Sequence, residues 1–191
     1  MLPSKLDRAI RFALEAHEGK YRKGEVPLPY VVHPMDVLFK VRHLGGISDE
    51  DALAAAALHD VIEDAHVSAE LLEDQFGPKV ARLVQQLTRR FDKRADRYSA
   101  MLLQDIAAMD AEAQVIKLCD RLANLWEMER TLSVELTCAY ADEALKMLAI
   151  VPRDRAPEAW DQLRTLAEKC VAKDENGVTV TEMDVIAPPD K

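Results

Sequence analysis

Ala57-Leu58-His59-Asp60-Val61-Ile62-Glu63-Asp64 alternates in pairs, two apolar residues and then two polar ones. On an α-helix, residues four apart share a face. Glu63 then stands one turn beyond His59 and Asp64 one turn beyond Asp60, while Val61 and Ile62 extend the apolar side begun by Ala57 and Leu58. One helix would carry a core face and a patch of one imidazole and three carboxylates. Such a patch suits a solvated helix face. It also suits a cation, because crowded carboxylates repel one another and a bound ion converts that repulsion into binding energy. The stretch alone leaves both readings open, and further ligands elsewhere in the chain would decide between them.

Composition sets the frame for that helix. The chain has 191 residues, enough for one domain with a real core. It is 49% hydrophobic but only 5% aromatic, so its core is built from Leu, Ala, Val and Ile, which favours packed helices over a β-sandwich. No apolar run approaches the roughly 20 residues of a membrane span. Met1-Leu2-Pro3-Ser4 leads directly into a charged helix without a secretory apolar region. Cys119, Cys138 and Cys170 are few, odd in number and widely spaced, which points away from disulfides and zinc clusters and towards a reducing, cytoplasmic setting. A net charge of −9 argues against general nucleic-acid binding, and an anionic small substrate would need a local cationic site. Nothing in the sequence signals an oligomeric state.

The neighbouring segments read as helices joined by short breaks. Ser4 and Asp7 form a capping-box pattern, and Leu6, Ile10, Ala13, Leu14 and His17 follow at helical spacing to about Glu18. Lys20 to Tyr30 holds two prolines and a glycine and reads as an ordered loop carrying three cations. Pro34 suits the first turn of a helix, which puts His33 at that helix's N-terminus; Gly45-Gly46 ends it. Ser48-Asp49-Glu50-Asp51 starts the helix that contains the central stretch, and the spacing predicts it to run to about Ala65. Ser68 caps another, with Leu71, Leu72 and Phe76 as its core face, and Val80 to Leu87 forms a further one. Thr88 to Arg97 is polar, with five cations, and reads as a mobile basic connection or simply a solvated run. Helices follow from Tyr98 to about Met109, Ser133 to Ile150 and Pro157 to Ala172. The predicted architecture is an all-α bundle of roughly eight to ten helices, with residues 1–172 folded and 173–191 a loosely ordered tail.

Ala113 to Trp126 is the second informative stretch. Leu118, Leu122 and Leu125 form a core stripe, with Lys117, Asp120, Arg121 and Asn124 beside it. An Asp in so apolar a helix needs a partner. Arg121 or another cation would serve, and so would a metal. His33, His59, Asp60 and Asp120 are then candidate ligands from three helices, a mixed set of two imidazoles and two carboxylates.

This pattern resembles that of the HD-domain metallophosphohydrolases, H…HD…D, and most closely the hydrolase domain of the RelA/SpoT proteins and their single-domain relatives, the small alarmone hydrolases. Four ordered blocks carry the resemblance: Tyr21-Arg22-Lys23-Gly24 with Pro29 to Pro34; Ala57 to Asp64; Phe76 to Val84 with Leu87-Thr88; and Ile116 to Asn124. It implies an HD-domain helical bundle over residues 1–172 that removes the 3′-pyrophosphate from the stringent-response alarmone (p)ppGpp, typically with Mn²⁺; the donor set also allows Fe²⁺, Mg²⁺ or Zn²⁺. The resemblance assigns His33, His59, Asp60 and Asp120 to the metal. Glu63 and Asp64 match the pair that positions and activates the attacking water. Arg22 would pack on the base, Lys23 would approach phosphate and Asn124 would contact the sugar.

The sequence departs from the family in the loop between Lys23 and His33, in the segment Arg97 to Met109, and at Leu125-Trp126-Glu127, where an acid stands beside an anionic substrate. The chain has no room for a synthetase domain, so a hydrolase alone is expected. Two alternatives remain: the same site acting on another nucleotide, such as the 2′-phosphate of NADPH or a nucleoside monophosphate, and a non-catalytic nucleotide-sensing module. The intact ligand set and Glu63-Asp64 pair weigh against the second.

Overall fold

A computed structural model of the chain describes residues 3–22, 27–90 and 98–175. Lys23, most of the basic connection (91–97) and the tail from 176 lie outside the described residues, as does the β-prone run Val178 to Thr181. Among the described residues there are ten α-helices and no strand: α1 (Lys5–Ala16), α2 (Val32–His43), α3 (Glu50–Leu58), α4 (Val61–Ala65), α5 (Ala69–Phe76), α6 (Pro78–Leu87), α7 (Tyr98–Ala108), α8 (Ala111–Thr131), α9 (Val134–Leu148) and α10 (Pro157–Glu175). No helix among them is long and apolar enough to cross a membrane.

The helix starts follow from side-chain chemistry. Ser4 Oγ accepts from the Asp7 N–H at 3.1 Å and the Asp7 carboxylate accepts from the Ser4 N–H at 3.1 Å, completing the capping box. Asp49 and Ser68 cap α3 and α5 in the same way, through the N–H groups of Ala52 and Leu71.

α3 is the centre of the bundle. Every residue from Ala52 to Leu58 is buried, so the helix is apolar on all sides. Its run of alanines lets α1, α2 and α6 close on it. α8 packs on α2, and α9 with α10 covers the far side of α8. The approach between α2 and α8 is tight: a Cβ on Gly45 would stand 2.7 Å from a Val115 methyl. Leu58, Leu118 and Leu125 are wholly buried, each stabilising the fold by about 1.5–3 kcal/mol. The C-terminal end of α3, where His59 follows, therefore lies deep between α2 and α8.

Several expectations need correcting. The helix expected from Ser48 to Ala65 is two helices, broken at His59-Asp60. The break has a local cause: the His59 ring bonds back to the Ala56 carbonyl at 2.9 Å, and Asp60 adopts φ −101°, ψ −4°, outside helical values. α1 stops at Ala16 with His17 as its C-cap, α2 begins at Val32 so that His33 lies inside its first turn, and α10 continues to Glu175, beyond Ala172. Leu14 and Leu71, expected in the core, are 56% and 41% exposed, because the buried stripes of α1 and α5 are narrower than helical spacing suggests.

Candidate metal centre

The His59-Asp60 turn joins α3 to α4 and sends two consecutive side chains towards His33 in the first turn of α2. One ligand atom from each of His33, His59 and Asp60 lies within 4.8 Å of the others. Asp60 Oδ2 is 3.2 Å from His59 Nε2 and 3.6 Å from His33 Nε2. Asp120 arrives from α8, with its Oδ1 3.2 Å from His33 Nε2 and 3.8 Å from His59 Nε2. The four residues expected as ligands thus converge from three parts of the fold.

Their protonation chemistry suits a cation. The Ala56 carbonyl can only accept, so His59 Nδ1 carries a hydrogen and Nε2 is the atom turned into the cluster. That Nε2 is buried and has no hydrogen-bond partner. Burial opposes charging of His59, but Asp60 and Asp120 outweigh it and raise its pKa from 6.5 to about 9. Burial likewise works against the charged form of Asp60, yet His59 and His33 hold the carboxyl well below its ordinary value. Asp120 is lowered too, against its own burial, by Lys117 first and then by the imidazoles. The cluster is a set of anions seeking positive charge, which a proton supplies at His59 when no metal does. A divalent ion fits this donor set.

The partner of Asp120 is not Arg121. Arg121 bonds Glu143 at 3.1 Å and lies 4.1 Å over the Tyr140 ring, whereas Lys117 Nζ donates to Asp120 Oδ2 at 2.9 Å. Asn124 Nδ2 donates to Asp120 Oδ1 at 2.6 Å. Both oxygens of the candidate ligand are therefore oriented by residues of its own helix.

Arg22 lies beside this network. The short bridge between Tyr21 and Pro29 folds its loop back, with Arg22 N–H donating to the Leu28 carbonyl at 2.8 Å. The guanidinium donates to both oxygens of Glu127 through Nε at 3.0 Å, and to Asn124 Oδ1 at 3.1 Å. Its carbon lies 5.5 Å from the Tyr30 ring centroid. Asn124, expected to contact a sugar, thus has its amide engaged by Arg22 on one side and Asp120 on the other.

Glu63 and Asp64 separate in role. Arg89 grips Glu63 with its guanidinium and with its backbone N–H, the latter at 3.2 Å. Asp64 instead faces Tyr30, and Lys20 Nζ donates to its carbonyl.

Sequence reading alone missed Tyr30 and His17 as parts of the site. The Tyr30 hydroxyl donates to Asp60 Oδ2 at 2.9 Å, and burial followed by Asp60 pushes its pKa far upwards. His17 stacks on the Tyr30 ring at 4.9 Å. Its spacing in α1 reads as a core position, and it is indeed buried; only the fold shows what it supports.

An HD dipeptide on an interhelical turn, its His buried and its Asp half-buried, meets a His and an Asp from two further helices, which makes the cluster a candidate metal centre of the HD type. The chain belongs to the HD domain family, which it matches over residues 9–156. Among characterised relatives, it is 36% identical over 124 residues to the guanosine-3′,5′-bis(diphosphate) 3′-pyrophosphohydrolase MESH1 of Xenopus tropicalis, covering 64% of this chain and 68% of that one. It is 35% identical to the human MESH1 enzyme, over 66% of this chain and 71% of that one. It is 34% identical to the guanosine-3′,5′-bis(diphosphate) 3′-pyrophosphohydrolase of Aquifex aeolicus over 74% of this chain, but spans only 21% of that longer protein. The solved structure of a metazoan ortholog of SpoT that hydrolyzes ppGpp superposes with a TM-score of 0.80 at 28% identity, over 88% of this chain and 97% of that one.

Proposed function

We propose that this chain is a metal-dependent hydrolase that removes the 3′-pyrophosphate of (p)ppGpp, giving GDP or GTP and pyrophosphate. The observation that carries the reading is the cluster of His33, His59 and Asp60, with Asp120 Oδ1 within 3.8 Å of both imidazoles and Arg22 and Asn124 beside it. The relatives above, named for this activity, support the substrate.

The four ligands would hold one divalent ion, which we take to be Mn²⁺ on the resemblance to the alarmone hydrolases; the mixed nitrogen and oxygen set accommodates it as it does Fe²⁺, Mg²⁺ or Zn²⁺. Such an ion supplies Lewis-acid chemistry: it acidifies water and polarises a phosphoryl oxygen. The protein's residues do the rest. One of Asp64 and Glu63 receives the proton of the attacking water. Arg22 keeps one face on Tyr30 and offers the other to a purine. Asn124 and Lys117 fix Asp120. Lys23 would meet a phosphate and Asn124 the sugar. In an acidic chain, Arg22, Lys23 and Arg89 supply the local attraction for a polyanion. We place the protein in the cytoplasm, a reading supported by its three buried free thiols. We take the hydrolase domain, expected to end at 172, to run to the end of α10 at Glu175, and the residues after it as an appended tail.

Incubation with ppGpp and Mn²⁺ tests the reading through its products. Equal release of GDP and pyrophosphate supports it. Failure to turn over ppGpp, with release of orthophosphate from NADPH or a nucleoside monophosphate, replaces it with the alternative nucleotide substrates.

A further inference from the structure

Glu127 is the feature of the site that the proposed reaction does not require. It adds negative charge where a polyanion must enter, and it stands where the sequence departs from its family. The structure shows where that charge goes. Both Glu127 oxygens accept from Arg22 Nε at 3.0 Å, and a terminal nitrogen of Arg22 bonds the same carboxylate. This is the two-pronged arrangement that a planar guanidinium prefers.

The other edge of Arg22 faces the ligand cluster. The nitrogen shared with Glu127 also donates to Asn124 Oδ1 at 3.1 Å, and Asn124 Nδ2 donates at 2.6 Å to Asp120 Oδ1. That oxygen is the one 3.2 Å from His33 Nε2. Arg22 is therefore one amide group away from a ligand oxygen, and the charge of Asp60 already acts on it. Freed from Glu127, its carboxylate neighbours would be those of the cluster. A guanidinium never gives up its proton under ordinary conditions, so it would compete with a metal at every pH.

We propose that Glu127 is a positioning residue for the metal centre, holding Arg22 by its outer edge so that this fixed cation does not compete with the metal for Asp60 and Asp120. The inference rests on the metal-hydrolase reading above. It makes Glu127 a determinant of metal affinity, although two residues, Arg22 and Asn124, stand between it and the ligand Asp120. It also accounts for an acid at the mouth of an anion site: the acid is neutralised by the cation it restrains.

Mn²⁺ titration by calorimetry, without nucleotide, tests the proposal on the whole chain. Glu127→Gln weakens Mn²⁺ binding roughly tenfold, the lower range for a residue that orients a ligand through a partner. Arg22→Ala introduced into Glu127→Gln restores affinity to near the wild-type value, because the competing cation is gone. Glu127→Asp, which keeps the charge, stays closer to wild type than Glu127→Gln. A merely structural role for Glu127 would not be repaired by removing Arg22. Unchanged Mn²⁺ affinity in Glu127→Gln overturns the proposal, and so does a loss that Arg22→Ala fails to restore in chains whose thermal unfolding matches wild type. Wild-type protein that binds no Mn²⁺ overturns the metal reading itself, whereas wild-type binding with an indifferent Glu127→Gln overturns this inference alone.

Discussion

The Tyr30 hydroxyl donates a 2.9 Å hydrogen bond to Asp60 Oδ2, the same oxygen that faces His59 Nε2 at 3.2 Å. A phenol from the segment before α2 thus orients a candidate ligand from the α3–α4 turn, and the stacked His17 ring fixes the phenol in turn. Partners of this kind typically contribute ten- to a hundredfold to metal affinity. Tyr30→Phe keeps the stacking and removes the hydrogen bond. Its Mn²⁺ affinity is expected to fall roughly tenfold by calorimetry, with thermal stability of the metal-free chain little changed.

Metal and proton compete at His59. Its pKa in the metal-free fold is about 9, above its ordinary 6.5, so ion binding displaces a proton over most of the neutral range. Mn²⁺ affinity is expected to rise with pH until pH reaches about 9. Titrations in two buffers of different ionisation enthalpy will show the released proton. The sign for stability is opposite. A folded pKa raised above the unfolded one adds stability that is complete below 6.5 and lost as pH climbs through about 9. The metal-free chain should therefore melt at lower temperature across that interval, in the presence of a chelator.

Arg89 occupies both oxygens of Glu63, whereas Asp64 faces Tyr30, whose hydroxyl bonds the candidate ligand Asp60. Asp64 is thus the better placed proton acceptor. Asp64→Asn is expected to lower kcat by about 10²–10⁴-fold, the usual range for a general base, with Mn²⁺ still bound. Glu63→Gln should cost less than Asp64→Asn. The reverse order of the two kcat values would hand the proton to Glu63.

On the proposed function, Arg22 binds substrate rather than reacting with it. Losing a charge-assisted contact costs about 1.5–3 kcal/mol, or roughly ten- to a hundredfold in affinity. Arg22→Ala should raise KM for ppGpp by about that factor, with kcat changed only a few-fold. An unchanged KM would remove Arg22 from the substrate site.

Much of this arrangement was legible in the residues. Ser4, Asp49 and Ser68 announce their helix starts because a cap acts over only three residues. That His33, His59, Asp60 and Asp120 lie close together follows from the ordered blocks. The break at His59-Asp60 was not, because no glycine or proline marks it; the ring of His59 bends the chain through a bond to Ala56 that no spacing rule contains. Arg22 and Glu127 are separated by 105 residues. Their partnership depends on how α8 packs beside the segment between α1 and α2, and an acid that looks unfavourable in sequence becomes a counter-charge in the fold. Asp120 shows the same limit: its neighbour Arg121 turns to Glu143, and Lys117, one helical turn away, takes its place.

The break at His59-Asp60 carries a consequence for how the protein is made. Its two ligands leave the ribosome side by side, and His33 is already out, but Asp120 lies sixty residues later and is held by residues of α8, which ends at Thr131. Half-built chains offer three donors and no fourth. With synthesis at about 5–20 residues per second, nascent protein spends several seconds in that incomplete state. On the proposed metal reading, full-strength capture of a divalent ion is therefore a late event, after α8 has docked, and a chain truncated before Asp120 would compete poorly for that ion.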